Sequence, residues 1–154
     1  FVAYIYIISL MNDIKREFQY HGAEHKSIFA YEKGLELTVD NVKKMPRLHP
    51  RCGTNFIFVV LMVSTFVFSF FTFENVLTRS ILKLIFLPVV AGIAYEIIKI
   101  AGKYQNPFTR VLILPGLLMQ KITTREPDEK QIEVAIAALQ ATLDKTEVVS
   151  PSPT

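Results

Sequence analysis

From Asn55 to Phe73 the chain reads NFIFVVLMVSTFVFSFFTF, without one charged side chain. A helix of about 20 apolar residues is what a bilayer core requires. In hydrocarbon only regular helical hydrogen bonding satisfies the backbone of a single segment. A second apolar stretch, Ile81 to Ala101, is interrupted by Lys83, Pro88, Glu96 and Lys99, and membrane helices tolerate an internal proline. The link Glu74 to Ser80 is so short that the two stretches must run antiparallel, with both outer flanks on one side. Those flanks hold most of the cations: Lys15, Arg16, Lys26, Lys33, Lys43, Lys44, Arg47 and Arg51 before the hairpin, and Lys103, Arg110, Lys121 and Arg125 after it. The positive-inside rule then makes the flanks cytoplasmic. The expected architecture is an all-α membrane protein of the cell (inner) membrane, multi-pass, with a transmembrane helical hairpin at 55–103.

Composition agrees with this. The 154 residues are 51% hydrophobic and 20% charged, with a net charge of +3 and a mean hydropathy of +0.32. Disorder, collagen and disulfide scaffolds are excluded, the last also because Cys52 is the single cysteine. Topology explains the basic excess, and no nucleic-acid motif accompanies it. The expected partner is the lipid bilayer, not nucleic acid. Phe1 to Met11 (FVAYIYIISLM) reads as the end of an upstream transmembrane helix.

Between these apolar segments, 12–54 is expected to be a cytoplasmic insert, helical over Phe18 to Lys33 and stopped by Gly34. Leu35 to Thr54, with Pro46, Pro50 and Gly53, reads as loop, and Thr54 as the cap of the next helix. Segment 104–123 contains Pro115-Gly116 inside a short apolar run and reads as an interfacial or re-entrant segment broken at that pair. Asp128 and Gln131 form a capping pattern. They open a C-terminal amphipathic helix within 124–144 whose Ile132, Ile136, Leu139 and Leu143 share one face. That stripe is expected to pack on the rest of the chain, the other reading being a groove on a membrane-protein partner reached through 128–144. Residues 145–154 read as a disordered tail.

Chemistry concentrates in the insert. In His21-Gly22-Ala23-Glu24-His25 a helix puts His21 and His25 one turn apart on one face. Two imidazoles so placed can share one tetrahedral zinc ion, with Glu24 as general base toward water. The order H-x-x-E-H is that of the inverzincin metalloproteases. His49 and Cys52, three apart in His49-Pro50-Arg51-Cys52, are further zinc ligands by type. The non-metal alternative makes the histidines polar surface residues and Cys52 a buried apolar side chain. Glu96 inside the second apolar stretch is an intramembrane carboxylate. It either completes a ligand set or pairs with Lys99 three residues on, with Tyr95 beside it.

The blocks FQYHGAEHK (Phe18–Lys26), HPRCGTNF (His49–Phe56), AGIAYEIIK (Ala91–Lys99) and LILPGLLMQKITTREPDEKQIEVAIAAL (Leu112–Leu139) resemble, in order and over nearly the whole chain, the YqhQ-like family of bacterial membrane proteins. That family is a domain of unknown function, also labelled a predicted metal-dependent enzyme. The resemblance implies a multi-pass membrane protein with an additional N-terminal portion. If the likeness to the inverzincins extends further, the expected counterpart of their downstream glutamate ligand is Glu96, in a different, membrane-embedded design.

Three functions compete. The first is a zinc-dependent hydrolase at the cytoplasmic interface: His21, His25, His49 and Cys52 as the metal ligands, Glu24 catalytic, and Glu96, Lys99 and Tyr95 an additional ligand or polar intramembrane site. The second is a non-enzymatic scaffold or membrane-protein assembly factor, in which the histidines and Cys52 close a structural zinc site or a hydrogen-bonded cluster. The third, a transport pathway lined by Glu96 and Lys99, needs a homo-oligomer, since so few spans cannot enclose one.

Overall fold

The computed structural model describes residues 2–71, 75–104 and 107–149, with backbone only at 108, 110 and 145–149. The described residues form helices and no strand: α1 Val2–Ile8, α2 Asn12–Glu32, α3 Val39–Lys43, α4 Gly53–Ser69, α5 Val76–Lys103, α6 Pro107–Thr123 and α7 Glu129–Val149. The chain divides into two compact units. One comprises Phe1–His49 with Lys121–Thr154, the other Pro50–Gln120.

The first unit is built on α2, which begins at Asn12, ahead of the expected Phe18. It ends as its sequence dictates. Gly34 adopts φ +66°, a conformation that costs glycine little. The Leu35 amide then reaches back to the Ala30 carbonyl at 3.0 Å and the Gly34 amide to Tyr31 at 2.9 Å. This pair of bonds satisfies carbonyls that the helix end would otherwise orphan. Ala23 and Ala30 on α2 present little side chain, so Val42 of α3 and Ile132, Ala135 and Ile136 of α7 close over them as a buried core. Of the expected stripe, Ile132 and Ile136 are thus spent inside their own unit, while Leu139 and Leu143 are only half-buried. The 35–54 stretch is not all loop. Thr38 accepts the Asn41 amide and opens the short α3, a local capping signal that the nearby prolines obscure. Lys43 at its end pairs with Glu129 at 2.8 Å. The hydrogen bond and charge of Lys43 hold the Glu129 carboxyl below its ordinary range. What the exposed pair contributes is therefore present at neutral pH and lost as acid protonates Glu129.

The Asp128–Gln131 capping pattern forms in full. The Gln131 amide donates to Asp128 Oδ1 at 2.8 Å and the Asp128 amide to Gln131 Oε1 at 2.9 Å. The helix it opens starts at Glu129 and runs to Val149, beyond the expected end at 144. Residues 150–154 of the expected tail lie outside the described residues. Asp128→Ala is expected to cost about 1 kcal/mol, read as a fall of about 4–8 °C in the thermal midpoint of a unit this size.

In the second unit α4 and α5 pair side by side. Val59, Ala94 and Ile98 are buried between them, with Phe56, Val60, Val63 and Ile97 packed around. Val59 packs with Ala94 and Ile98, whereas Phe68, nearer the end of α4, stands by Lys83, nearer the start of α5, which makes the pairing antiparallel. Asn75 caps α5 by accepting the Leu77 amide at 2.8 Å. Most of the expected connector, Val76 to Ser80, is therefore already helix, while 72–74 lie outside the described residues. Among the described residues α5, 28 residues long, is the one helix long and apolar enough to cross a membrane. At 1.5 Å per residue it spans about 42 Å. α4 has 17 residues and ends at Ser69, before the apolar run does. Its cap is Cys52, whose sulfur faces the Thr54 amide at 3.4 Å, not the expected Thr54.

Pro115-Gly116 does not break its segment: α6 is one helix with Pro115 inside it. Proline removes one amide donor from such a helix. Gly116 explains what the pair does instead. A Cβ there would come within 2.9 Å of the Asn55 Cα, so the glycine lets α6 lie directly against α4, as small residues do at close helix crossings.

Candidate metal centre

Gly22 reads from sequence as a helix-weakening residue. In the structure it is buried, and a Cβ on it would overlap the backbone carbonyl of Arg125. The missing side chain lets the end of α6 at Thr123 and the non-helical residues 124–126 lie on α2. The Arg125 amide donates to the Phe18 carbonyl at 2.7 Å, and Gln19 Nε2 donates to the Glu126 carbonyl at 3.3 Å. Lys26, nearly buried, reaches Glu126 at 2.8 Å. This segment fixes the first histidine: His21 Nδ1 lies 2.8 Å from the Thr123 carbonyl oxygen. His25, 4% exposed, is fixed the same way, its Nδ1 2.6 Å from the Arg47 carbonyl oxygen.

A carbonyl oxygen can only accept, so in both rings Nδ1 carries the hydrogen. That leaves the lone pair of each neutral ring on Nε2. Metal-binding histidines are held in this manner, the other nitrogen anchored to a carbonyl or carboxylate. The two rings sit edge to face with centroids 4.3 Å apart, as the one-turn spacing predicts. The donor chemistry of the pair fits zinc.

His49 joins the same cluster. Its ring lies 5.8 Å from that of His25 and 4.5 Å from Phe29. Its Nε2, however, faces Glu32 Oε2 at 3.3 Å, so that nitrogen is turned toward a carboxylate. Sequence reading missed Glu32, although it lies two turns beyond His25 on the same helix face. Thr123 and Arg47 act through backbone oxygens and leave no signal in the sequence.

The other candidates are placed as follows. Glu24 is on α2 beside the histidines but is exposed. Cys52 is buried, at 7% exposure, at the start of α4 in the second unit. Glu96 and Lys99 pair along α5 at 3.3 Å, both side chains more than half exposed, with the Lys99 ammonium 5.8 Å from the Tyr95 ring centre. This is the intrahelical pairing that the spacing allows.

Residues 1–145 match the family described as protein of unknown function (DUF1385). The chain is 42% identical over 143 residues to the Bacillus subtilis (strain 168) protein called uncharacterized protein YqhQ, covering 92% of this chain and 45% of that one. It thus spans about half the length of that relative. No solved structure matches. With the family matched over most of the chain and the relative over nearly all of it, the protein belongs to the DUF1385 family, whose function is unknown.

Proposed function

We propose that this is an integral membrane protein that holds a zinc ion at the cytoplasmic interface and uses it in hydrolysis. His21 and His25 are its ligands, and Cys52, a ligand by type from the His49-Pro50-Arg51-Cys52 motif, is the third. The observation that carries the reading is the pair of imidazoles on one turn of α2, each anchored through Nδ1 to a carbonyl. Cys52 enters through covalent connectivity. It follows His49 by three residues, a span of at most about 10 Å, and a cysteine thiolate suits zinc as well as imidazole does. With His49 turned toward Glu32, three protein ligands leave a coordination position open, as catalytic zinc sites do. Zinc, when bound, supplies a Lewis acid that makes water a nucleophile near neutral pH. Glu24 is the general base. The membrane assignment rests on α5: only 17% of its apolar window is buried, whereas the core helix of a soluble domain is mostly covered. Large apolar side chains of the hairpin such as Phe66, Phe70, Leu84 and Ile85 are exposed, as a lipid-facing surface requires.

The exposure of Glu24, together with the burial of His25 and Cys52, favours a second reading, a closed structural zinc site in an assembly factor. Cobalt substitution separates the two. The visible spectrum of the cobalt protein is expected to shift on adding acetohydroxamate, which needs an open position. An unchanged spectrum would favour the structural site, and failure to take up cobalt or zinc would remove both.

A further inference from the structure

The second unit has a groove of about 560 Å³ where α4 begins and α5 ends. That volume lies in the range of small-molecule sites. Its floor is apolar, with Phe56, Ile98 and Tyr95, and three cations stand around it: Arg51, Lys99 and Lys103. Glu96, bonded to Lys99, is a carboxylate beside them, while the charged residues that line the groove itself are these cations. The arginine is positioned by the fold. A Cβ on Gly102 would lie 2.7 Å from Arg51 Cδ, which means that the Arg51 stem lies across the bare glycine backbone of α5. Lys99 and Lys103 lie one turn apart on that helix, and the first turn of α4 opens at the same place.

An apolar floor rimmed by cations at the end of a helical hairpin has the complementarity of one ligand class. We infer that this groove binds an anionic phospholipid, the phosphodiester between Arg51, Lys99 and Lys103 and the upper acyl chain along Phe56, Ile98 and Tyr95. A free phosphate would leave the floor uncovered. A zwitterionic lipid would bring a second cation to a site already positive. The inference rests on the membrane reading of α5 but not on zinc.

The test uses the full-length protein in detergent, with lipid retention read by native mass spectrometry. Phosphatidylglycerol is expected to be retained over phosphatidylcholine by at least about tenfold, since each cation near an anionic headgroup contributes about fivefold. The triple variant Arg51→Gln, Lys99→Gln, Lys103→Gln is expected to lose that preference while the protein stays monodisperse. Lys99→Arg, which keeps the charge, is expected to retain it. Equal retention of the two lipids, an unchanged preference in the triple variant, or competition by glycerol phosphate as effective as by the lipid would overturn the inference. Resistance of the protein to carbonate extraction from membranes, measured separately, tests the membrane reading itself.

Discussion

Gly22→Ala is expected to destabilise the α2 unit by about 3 kcal/mol or more, at the upper end of what overpacking costs. Helix propensity alone predicts the opposite sign: alanine should stabilise a helix interior by about 1 kcal/mol relative to glycine. The contact decides. What a methyl group meets at this position is a backbone carbonyl, that of Arg125, which cannot swing aside as a side chain tip would. Lifting the 123–126 segment also removes the Thr123 carbonyl from His21 and the Arg125 amide from Phe18. Thermal unfolding and limited proteolysis of the purified protein measure the effect, with cleavage expected to appear first in residues 123–128. A Gly22→Ala protein as stable as its parent would show that segment and helix do not touch as described.

The second large effect is loss of metal. His25→Ala removes a ligand of the proposed centre and leaves the Arg47 carbonyl without the imidazole it binds. Zinc affinity is expected to fall by at least about 100-fold, more than the 10–100-fold that losing an outer-shell partner costs. Stripping the parent protein with a strong chelator is expected to lower its stability by about 4 kcal/mol, the linkage at a thousandfold excess over the dissociation constant. In His25→Ala the same chelator should do almost nothing. His49→Ala provides the contrast. With its Nε2 facing Glu32, it should weaken packing against Phe29 while zinc content is kept.

What could be read in the sequence was local. The Asp128–Gln131 cap and the first half of the apolar stripe, Ile132 and Ile136, need only neighbours three or four residues away, and both formed as their spacing implies. Gly34 ended α2 because a left-handed residue there is a matter of one φ angle. The one-turn spacing of His21 and His25 likewise fixed their ring contact. What escaped was non-local or masked. Pro115 suggests a break, yet the helix runs on through it, and the absent side chain of Gly116 opposite Asn55 lets it lie against α4. Pro46 and Pro50 concealed the short α3. The segment that anchors His21 comes from a hundred residues further along the chain, and it contributes a main-chain oxygen that any residue type would supply.

Zinc-edge X-ray absorption on the purified full-length protein tests the centre most directly. The expected spectrum is that of about one zinc per chain with two imidazole nitrogens at about 2.0–2.1 Å and one sulfur at about 2.3 Å, the sulfur shell vanishing in Cys52→Ser. A protein that carries no zinc when isolated and takes none up, or one whose zinc shows no sulfur neighbour, would contradict it.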